Sequence, residues 1–328
     1  MSSIFNLKAS NTVNLRTGLR NVINQTADAA IVAQGDSTDR AKGAGLGTDF
    51  QNGWLPQLAR LLRSNGFVPY ATWDSLIGTG NMIPGDDRWA STGTTTTPAS
   101  IGGSMWQADA SGEGLTFTPV EPKNAYGLLH FDNNSMRFNA RVNAETPLVV
   151  DGTTGTRFAL LTTTSPGPHV ITIAWEASAV RFMGIDAYDS AVKQLKFWNA
   201  SVSGARLEAF FNETQQYAAG SMSKFLSGVA CCAIGGCGKN EMRIPKTTDP
   251  DVFTTPAEYA TNLATWVDNW RFSGTCDPLL HTPVPDADDG SFAYPLSDYI
   301  AKIYEVALVK DVPVVRVNEA LGGSWAIG

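Results

Sequence analysis

Apolar positions along this chain fall into two textures. Towards both ends, short strand-like stretches at residues 29–33, 194–198, 229–234 and 312–317 alternate with stripes at helical spacing. Runs of that length, bounded by small residues, predict strands buried on both faces. Between them lie three helical patterns. Trp54, Leu55, Leu58, Leu61 and Leu62 form a stripe within residues 49–64 that Asn65-Gly66 closes. Thr255-Pro256-Ala257-Glu258 is a capping box with proline at the first helical position, and Tyr259, Leu263, Trp266, Val267 and Trp270 follow as one stripe. Leu296, Ile300, Ile303 and Ala307 share a face of a third helix, residues 296–309. A broken stripe of Val13, Leu15, Leu19, Val22 and Ile23 lies ahead of the first strand, placed either to pack on the sheet or to dock the chain on a larger particle; packing is the expectation.

The middle of the chain reads differently. Residues 85–187 are rich in threonine, glycine and asparagine, and short alternating runs at 115–118, 135–142 and 169–173 are separated by turn signals such as Asp151-Gly152 and Pro166-Gly167-Pro168. This texture predicts a β-sandwich inserted into an α/β domain. The expected organisation is an N-terminal arm or helix over 1–26, a discontinuous α/β domain over 27–84 and 188–328, and the inserted sandwich over 85–187. Alternating strands and helices imply a parallel, flavodoxin-like sheet whose loops gather at the C-terminal strand ends.

Candidate chemistry sits at those ends. Gly35-Asp36-Ser37-Thr38 follows the run at 29–33 and leads into a glycine-rich segment. A serine there has its hydroxyl in a crevice with backbone N–H groups beside it; the same tripeptide also makes an ordinary turn. Two further strand ends run into small-residue loops, Asn199-Ala200-Ser201-Val202-Ser203-Gly204-Ala205 and Gly235-Gly236-Cys237-Gly238-Lys239-Asn240-Glu241. A glycine N–H and an asparagine amide are suitable donors for a developing oxyanion.

In these blocks the chain resembles the SGNH, or GDSL-type, esterase and lipase family. Gly35-Asp36-Ser37 matches the first block, Ser203-Gly204 the glycine block, and Gly238-Lys239-Asn240-Glu241 the Gly-x-Asn-Asp block with glutamate in the last place. The resemblance implies that Ser37 is the nucleophile, that Gly204 and Asn240 join the Ser37 amide in the oxyanion hole, and that no metal or organic cofactor is required. The family's C-terminal Asp-x-x-His pair has no counterpart, and the histidines are His130, His169 and His281. The base is then expected from a continuation of a longer esterase, from another chain, from His281 at a further strand end, or from nowhere in a chain kept for binding or assembly. The sandwich insertion and the absence of a long apolar lid turn the expected substrate towards an acylated carbohydrate. Trp106, Tyr126 and Trp175 are either glycan-reading rings or core filling.

Composition narrows the classes. With 43% hydrophobic and 17% charged residues among 328, the chain can bury a substantial core. A net charge of −7 argues against nucleic acid as a partner. No stretch approaches the roughly 20 apolar residues of a membrane span. The first residues lack the pattern of a secretory signal. An esterase-like domain with these features is similar to phage tail-associated carbohydrate esterases, which implies a virion location with tail proteins or a second copy as partners, and otherwise a cytoplasmic one. Cys231, Cys232 and Cys237 cluster around one buried strand and Cys276 stands apart; adjacent cysteines on a strand point to opposite faces, so they read as small hydrophobes rather than a zinc site.

Overall fold

The computed structural model describes residues 3–35, 52–73, 77–78, 87–92, 94–96, 105–132, 135–152, 155–202, 205–211, 222–236, 239–242, 254–284 and 294–321. Strand Ala29–Gln34 is buried along its whole length because it runs through the middle of a parallel sheet. Leu195–Asn199 pairs with it on one side and Cys232–Gly235 on the other, and Asp277–His281 and Val314–Val315 continue outward in the same direction. Numbered along the chain, these five strands lie in the order 2-1-3-4-5. Strand Ile4–Phe5 closes the far edge, antiparallel to Val314–Val315.

Period-two alternation splits the central strand between two cores. Ala29, Ile31 and Ala33 face one cluster with Val22, Leu55 and Ala59, whereas Ala30 and Val32 face another with Tyr259, Leu263, Trp266, Trp270, Tyr299 and Ile303. Helices Val13–Ile23 and Trp54–Ser64 therefore cover one face, and Pro256–Arg271 and Leu296–Val309 the other. The N-terminal stripe packs on the sheet. Its first turn is held by the Asp277 carboxylate, which accepts from Leu15 N at 2.8 Å and Asn14 Nδ2 at 3.1 Å. Gly18 lets this helix come close: a Cβ there would lie 2.8 Å from Cys231 Sγ and 3.0 Å from Ala29 Cβ. The capping box forms in full, Glu258 N donating to Thr255 Oγ1 at 3.2 Å and Thr255 N to Glu258 Oε2 at 2.8 Å.

One expected strand is shorter than its apolar run. Instead of spanning 312–317, strand pairing stops at Val314–Val315 and the chain turns at once into helix Val317–Ala320. Two contacts turn it there: Arg316 lies over the rings of Phe5 and Tyr304, and Asn318 N donates to the buried Thr282 Oγ1 at 2.9 Å.

Beyond Leu195–Asn199 the sheet changes character. The two-residue strand Ile77–Gly78 pairs parallel with Asn199 and antiparallel with Val180–Tyr188, so antiparallel strands including Lys123–Asp132 and Gly155–Gly167 extend the same sheet, thirteen strands among the described residues. A second antiparallel sheet joins Leu148–Asp151, Arg137–Val142, Ile171–Ala177, Gly114–Phe117 and Trp89–Thr92. Phe117, Phe138 and Ile173 from that sheet share one core cluster with Trp106, Tyr126 and Phe182 from the first. Trp106 and Tyr126 are thus core filling. Trp175 is half-buried, its Nε1 donating to Ser178 O at 2.5 Å. His130 is buried against the Phe138 ring, and His169 contacts Asn143 and Thr163.

Cys231, Cys232 and Cys276 are buried and free, and burial raises all three thiols, Cys231 to about 11. Cys237 lies outside the described residues. Among the described residues no helix is long and apolar enough to cross a membrane.

Candidate functional site

Strand register brings the three motif-bearing loops to one edge. Ala33 stands opposite Asn199 on one side and Ile234 on the other, and Gln34 opposite Gly235. The roots of the three loops are therefore level at the C-terminal ends of adjacent strands. In a 2-1-3-4-5 sheet the chain leaves the first and third strands in opposite directions, and the crevice opens between them. Ala29–Gln34 and Cys232–Gly235 are those two strands.

Ser37 and Gly204 themselves lie outside the described residues, as do Ser203 and Gly238. Their roots are defined. Gly35 is clamped from both sides by the neighbouring loop: its N–H donates to Ser201 Oγ at 3.2 Å, and its carbonyl accepts from Val202 N at 2.9 Å. Ser201 is fully buried and its own N–H donates to Asn199 Oδ1 at 3.1 Å. The residue two before the candidate nucleophile is thus fastened to the loop that carries Gly204.

Asn240 is half-buried on the short helix Lys239–Met242, and its Nδ2 donates to Ala205 O at 2.8 Å. That bond commits one of the two amide hydrogens and ties the third block to the residue after Gly204. The neighbouring Glu241, which stands where the family pattern has aspartate, is fully buried. Its Oε1 accepts from Leu207 N at 2.6 Å, holding the turn Leu207–Phe210 against the same helix. Tyr299 is close enough to respond: burial first, then the charges of Tyr294 and Glu241, push its phenol up to about 12.

Glycine is demanded at the third root by its neighbours. A Cβ on Gly235 would lie 2.4 Å from Trp266 Cζ2 and 2.7 Å from Gln34 O, and one on Gly236, at φ +153°, would lie 2.5 Å from His281 O. Beneath Gly35, the buried Gln34 side chain accepts from Trp266 Nε1 at 2.8 Å and Trp270 Nε1 at 2.9 Å through Oε1. Its Nε2 is buried without a partner among the described residues. His281 ends the next strand outward, part-buried, with Nδ1 3.1 Å from Thr282 O.

The arrangement adds residues that sequence reasoning did not assign. Ser201 was legible only as one of several small loop residues, and Gln34 carried no motif signal. The stripe positions Trp266 and Trp270 signalled core but not the shared hydrogen-bond acceptor. Glu241 was visible as a departure from a pattern, and its Oε1 is a buried acceptor for Leu207 N.

No protein-family profile and no curated protein sequence matches the chain. Among solved structures, one described as a peptidoglycan O-acetylesterase in action superposes with a TM-score of 0.70 at 17% identity, covering 98% of this chain and 88% of that one. A family two carbohydrate esterase from Cellvibrio japonicus aligns over 71% of this chain and 84% of its own at 9% identity, with a TM-score of 0.29. A lipase/acylhydrolase from Enterococcus faecalis aligns over 39% and 59% at 19% identity, with a TM-score of 0.28. Those two superpositions are too loose to carry weight. The first shows a shared fold, an α/β domain on a parallel sheet with added antiparallel strands.

Proposed function

We infer that this protein is a serine esterase that removes acetyl or other short acyl groups from a carbohydrate. The observation that carries the reading is the register of three adjacent strands, which levels the roots of the Ser37, Gly204 and Asn240 loops. The Asn240–Ala205 hydrogen bond supports it by joining two of those loops. The fold shared with a peptidoglycan O-acetylesterase favours a sugar ester over a lipid.

In this reading Ser37 Oγ attacks the ester carbonyl. The oxyanion forms between the amides of Ser37 and Gly204 and the free hydrogen of Asn240 Nδ2. Collapse expels the sugar alcohol and leaves Ser37 acylated; water then releases the carboxylic acid and restores the hydroxyl. A base must take the Ser37 proton. His130 and His169 are engaged in the antiparallel sheets, so His281, a histidine in a continuation of the chain, or one from another polypeptide fills that role.

A second reading is a non-catalytic glycan-binding or structural component of a virion on the same fold. The engagement of His130 and His169 in the antiparallel sheets favours it, because removing the base of a serine triad costs several orders of magnitude in rate. Hydrolysis of p-nitrophenyl acetate, compared between the unaltered chain, Ser37→Ala and His281→Ala, separates the two. Turnover lost in Ser37→Ala supports the esterase, and loss in His281→Ala as well assigns the base. Equal rates in the unaltered chain and Ser37→Ala reject the esterase.

A further inference from the structure

A strand at the edge of a sheet offers unpaired N–H and C=O groups to any other strand, and sheets blunt this with short or charged edges. Most described edges here follow that rule. Ile4–Phe5, Thr94–Thr96 and Leu148–Asp151 run two, three and four residues. The last also carries a charge, Asp151, paired with Arg137 at 3.4 Å. Gly155–Gly167 breaks the pattern. It is 13 residues long, pairs along one side with Lys123–Asp132, and has no strand on its other side among the described residues.

Nothing in the paired stretch guards it. Phe158-Ala159-Leu160-Leu161-Thr162 holds no charge and no proline, and the register stays regular until it shifts between Thr162 and Gly167. Alternation sends Leu161, 9% exposed, into the core, and Phe158 and Leu160, 56% and 55% exposed, to the opposite face. Outside the ladder with Lys123–Asp132, no backbone–backbone hydrogen bond joins residues 159–164 to any described residue. The strand therefore presents a row of backbone donors and acceptors with large apolar side chains beside it.

The geometry of an edge selects the occupant. An extended segment of another protein would add one strand and expose its own outer side, so the edge would only move outward. A second copy ends the series. Antiparallel pairing of this strand with itself about a two-fold axis is self-complementary, and each copy covers the open side of the other. With the axis at Leu160, the two Leu160 side chains meet, Phe158 of one copy lies beside Thr162 of the other on the same face, and Ala159 opposes Leu161 on the core side. No like charges meet across this stretch. We propose that Gly155–Gly167 is a dimerisation edge, at which two copies of this chain join their larger sheets into one through the residues around Leu160. The edge lies five strand spacings from Ala29–Gln34, roughly 24 Å, so the proposal does not rest on the esterase reading.

Sedimentation of the unaltered chain, Leu160→Lys and Leu160→Glu over a range of concentrations tests it. Leu160 is exposed, so either change is compatible with folding, which circular dichroism verifies. The unaltered chain is expected to sediment as a dimer that dissociates on dilution. Each variant alone is expected to dimerise at least about tenfold more weakly, because like charges meet at the axis, and an equimolar mixture of the two is expected to recover the dimer. A readout that needs no variant is amide hydrogen exchange: in the unaltered chain, amides within 159–164 should exchange more slowly at high concentration than at low. A monomer at near-millimolar concentration overturns the proposal, as does a dimer unmoved by Leu160→Lys, a mixture that stays monomeric, or exchange that does not depend on association.

Discussion

Ser201 Oγ accepts the backbone N–H of Gly35 at 3.2 Å, across the boundary between two strands and with both groups buried. This bond fixes the point from which the Ser37 loop departs, relative to the loop that carries Gly204. Replacing Ser201 by alanine leaves a buried N–H unpartnered, which costs about 1–3 kcal/mol. The expected outcome is a lower urea midpoint with an unchanged m-value, and a lower kcat for p-nitrophenyl acetate at nearly constant KM. An unaltered midpoint would show that water or a neighbouring group takes over the Gly35 N–H.

Asn240 and Glu241 separate a donor from its support. Asn240→Ala removes the side chain proposed for the oxyanion hole and is expected to lower kcat by about 10²–10³ with little change in KM. Glu241→Ala removes the acceptor of Leu207 N and acts only through the position of the turn and helix. It is expected to lower the melting temperature and to reduce kcat less than Asn240→Ala does. Glu241→Gln keeps an acceptor at Oε1 and recovers most of the loss. If Glu241→Ala lowered stability but left kcat untouched, the buried carboxylate would serve the fold alone.

Gly235 is a glycine for packing rather than for backbone conformation, since the residues that exclude a side chain there are the Trp266 ring and the Gln34 carbonyl. Gly235→Ala forces one of them to move and is expected to destabilise by about 1–3 kcal/mol. Pairing it with Trp266→Phe removes the ring contact but not the carbonyl contact. A double-mutant cycle by chemical denaturation should therefore return part of the penalty and not all of it. Full additivity would mean that the Trp266 ring is not what the new methyl meets.

The parallel half of the molecule was legible because its signals are local. A capping box at Thr255, stripes at helical spacing and short apolar runs are each decided within one element, and the helices Trp54–Ser64, Pro256–Arg271 and Leu296–Val309 formed on those stripes. What escaped depends on neighbours far along the chain. Gly18 looks like a poor helix residue until Cys231 and Ala29 are seen against it, and Gln34 has no motif until two indoles from residue 266 onward reach it. The run at 312–317 reads as one strand, yet the Arg316 contacts with Phe5 and Tyr304 turn it after two paired residues. The same limit applies to the antiparallel strands. Short alternating runs announce them, but not that the two-residue strand Ile77–Gly78 joins them to the parallel sheet. At the candidate site, three blocks were readable as motifs, whereas the clamp between them comes from Ser201, a residue type with no distinctive spacing.

Tyr299 gives the fold an alkaline limit whose sign follows from its surroundings. Its hydroxyl is buried and donates to Thr254 O at 2.7 Å. Burial, then the neighbouring Tyr294 and Glu241 charges, raise the phenol to about 12, against about 10 in an unfolded chain. The folded value lies above the unfolded one. Between about 10 and 12 the unfolded chain therefore gives up a proton that the folded chain retains, and stability fully present below pH ~10 is lost as pH rises towards 12. Tyr304 contributes in the same window through burial and its hydrogen bond to Glu319. The Cys231 thiol contributes from about one unit lower. In Tyr299→Phe the alkaline decline should be shallower than in the unaltered chain. At neutral pH the variant should be less stable by about 1 kcal/mol for the lost hydrogen bond. Guanidinium midpoints measured from neutral pH upward give both quantities. Parallel curves for the two proteins would mean that Tyr299 ionises in the folded state as readily as in the unfolded one.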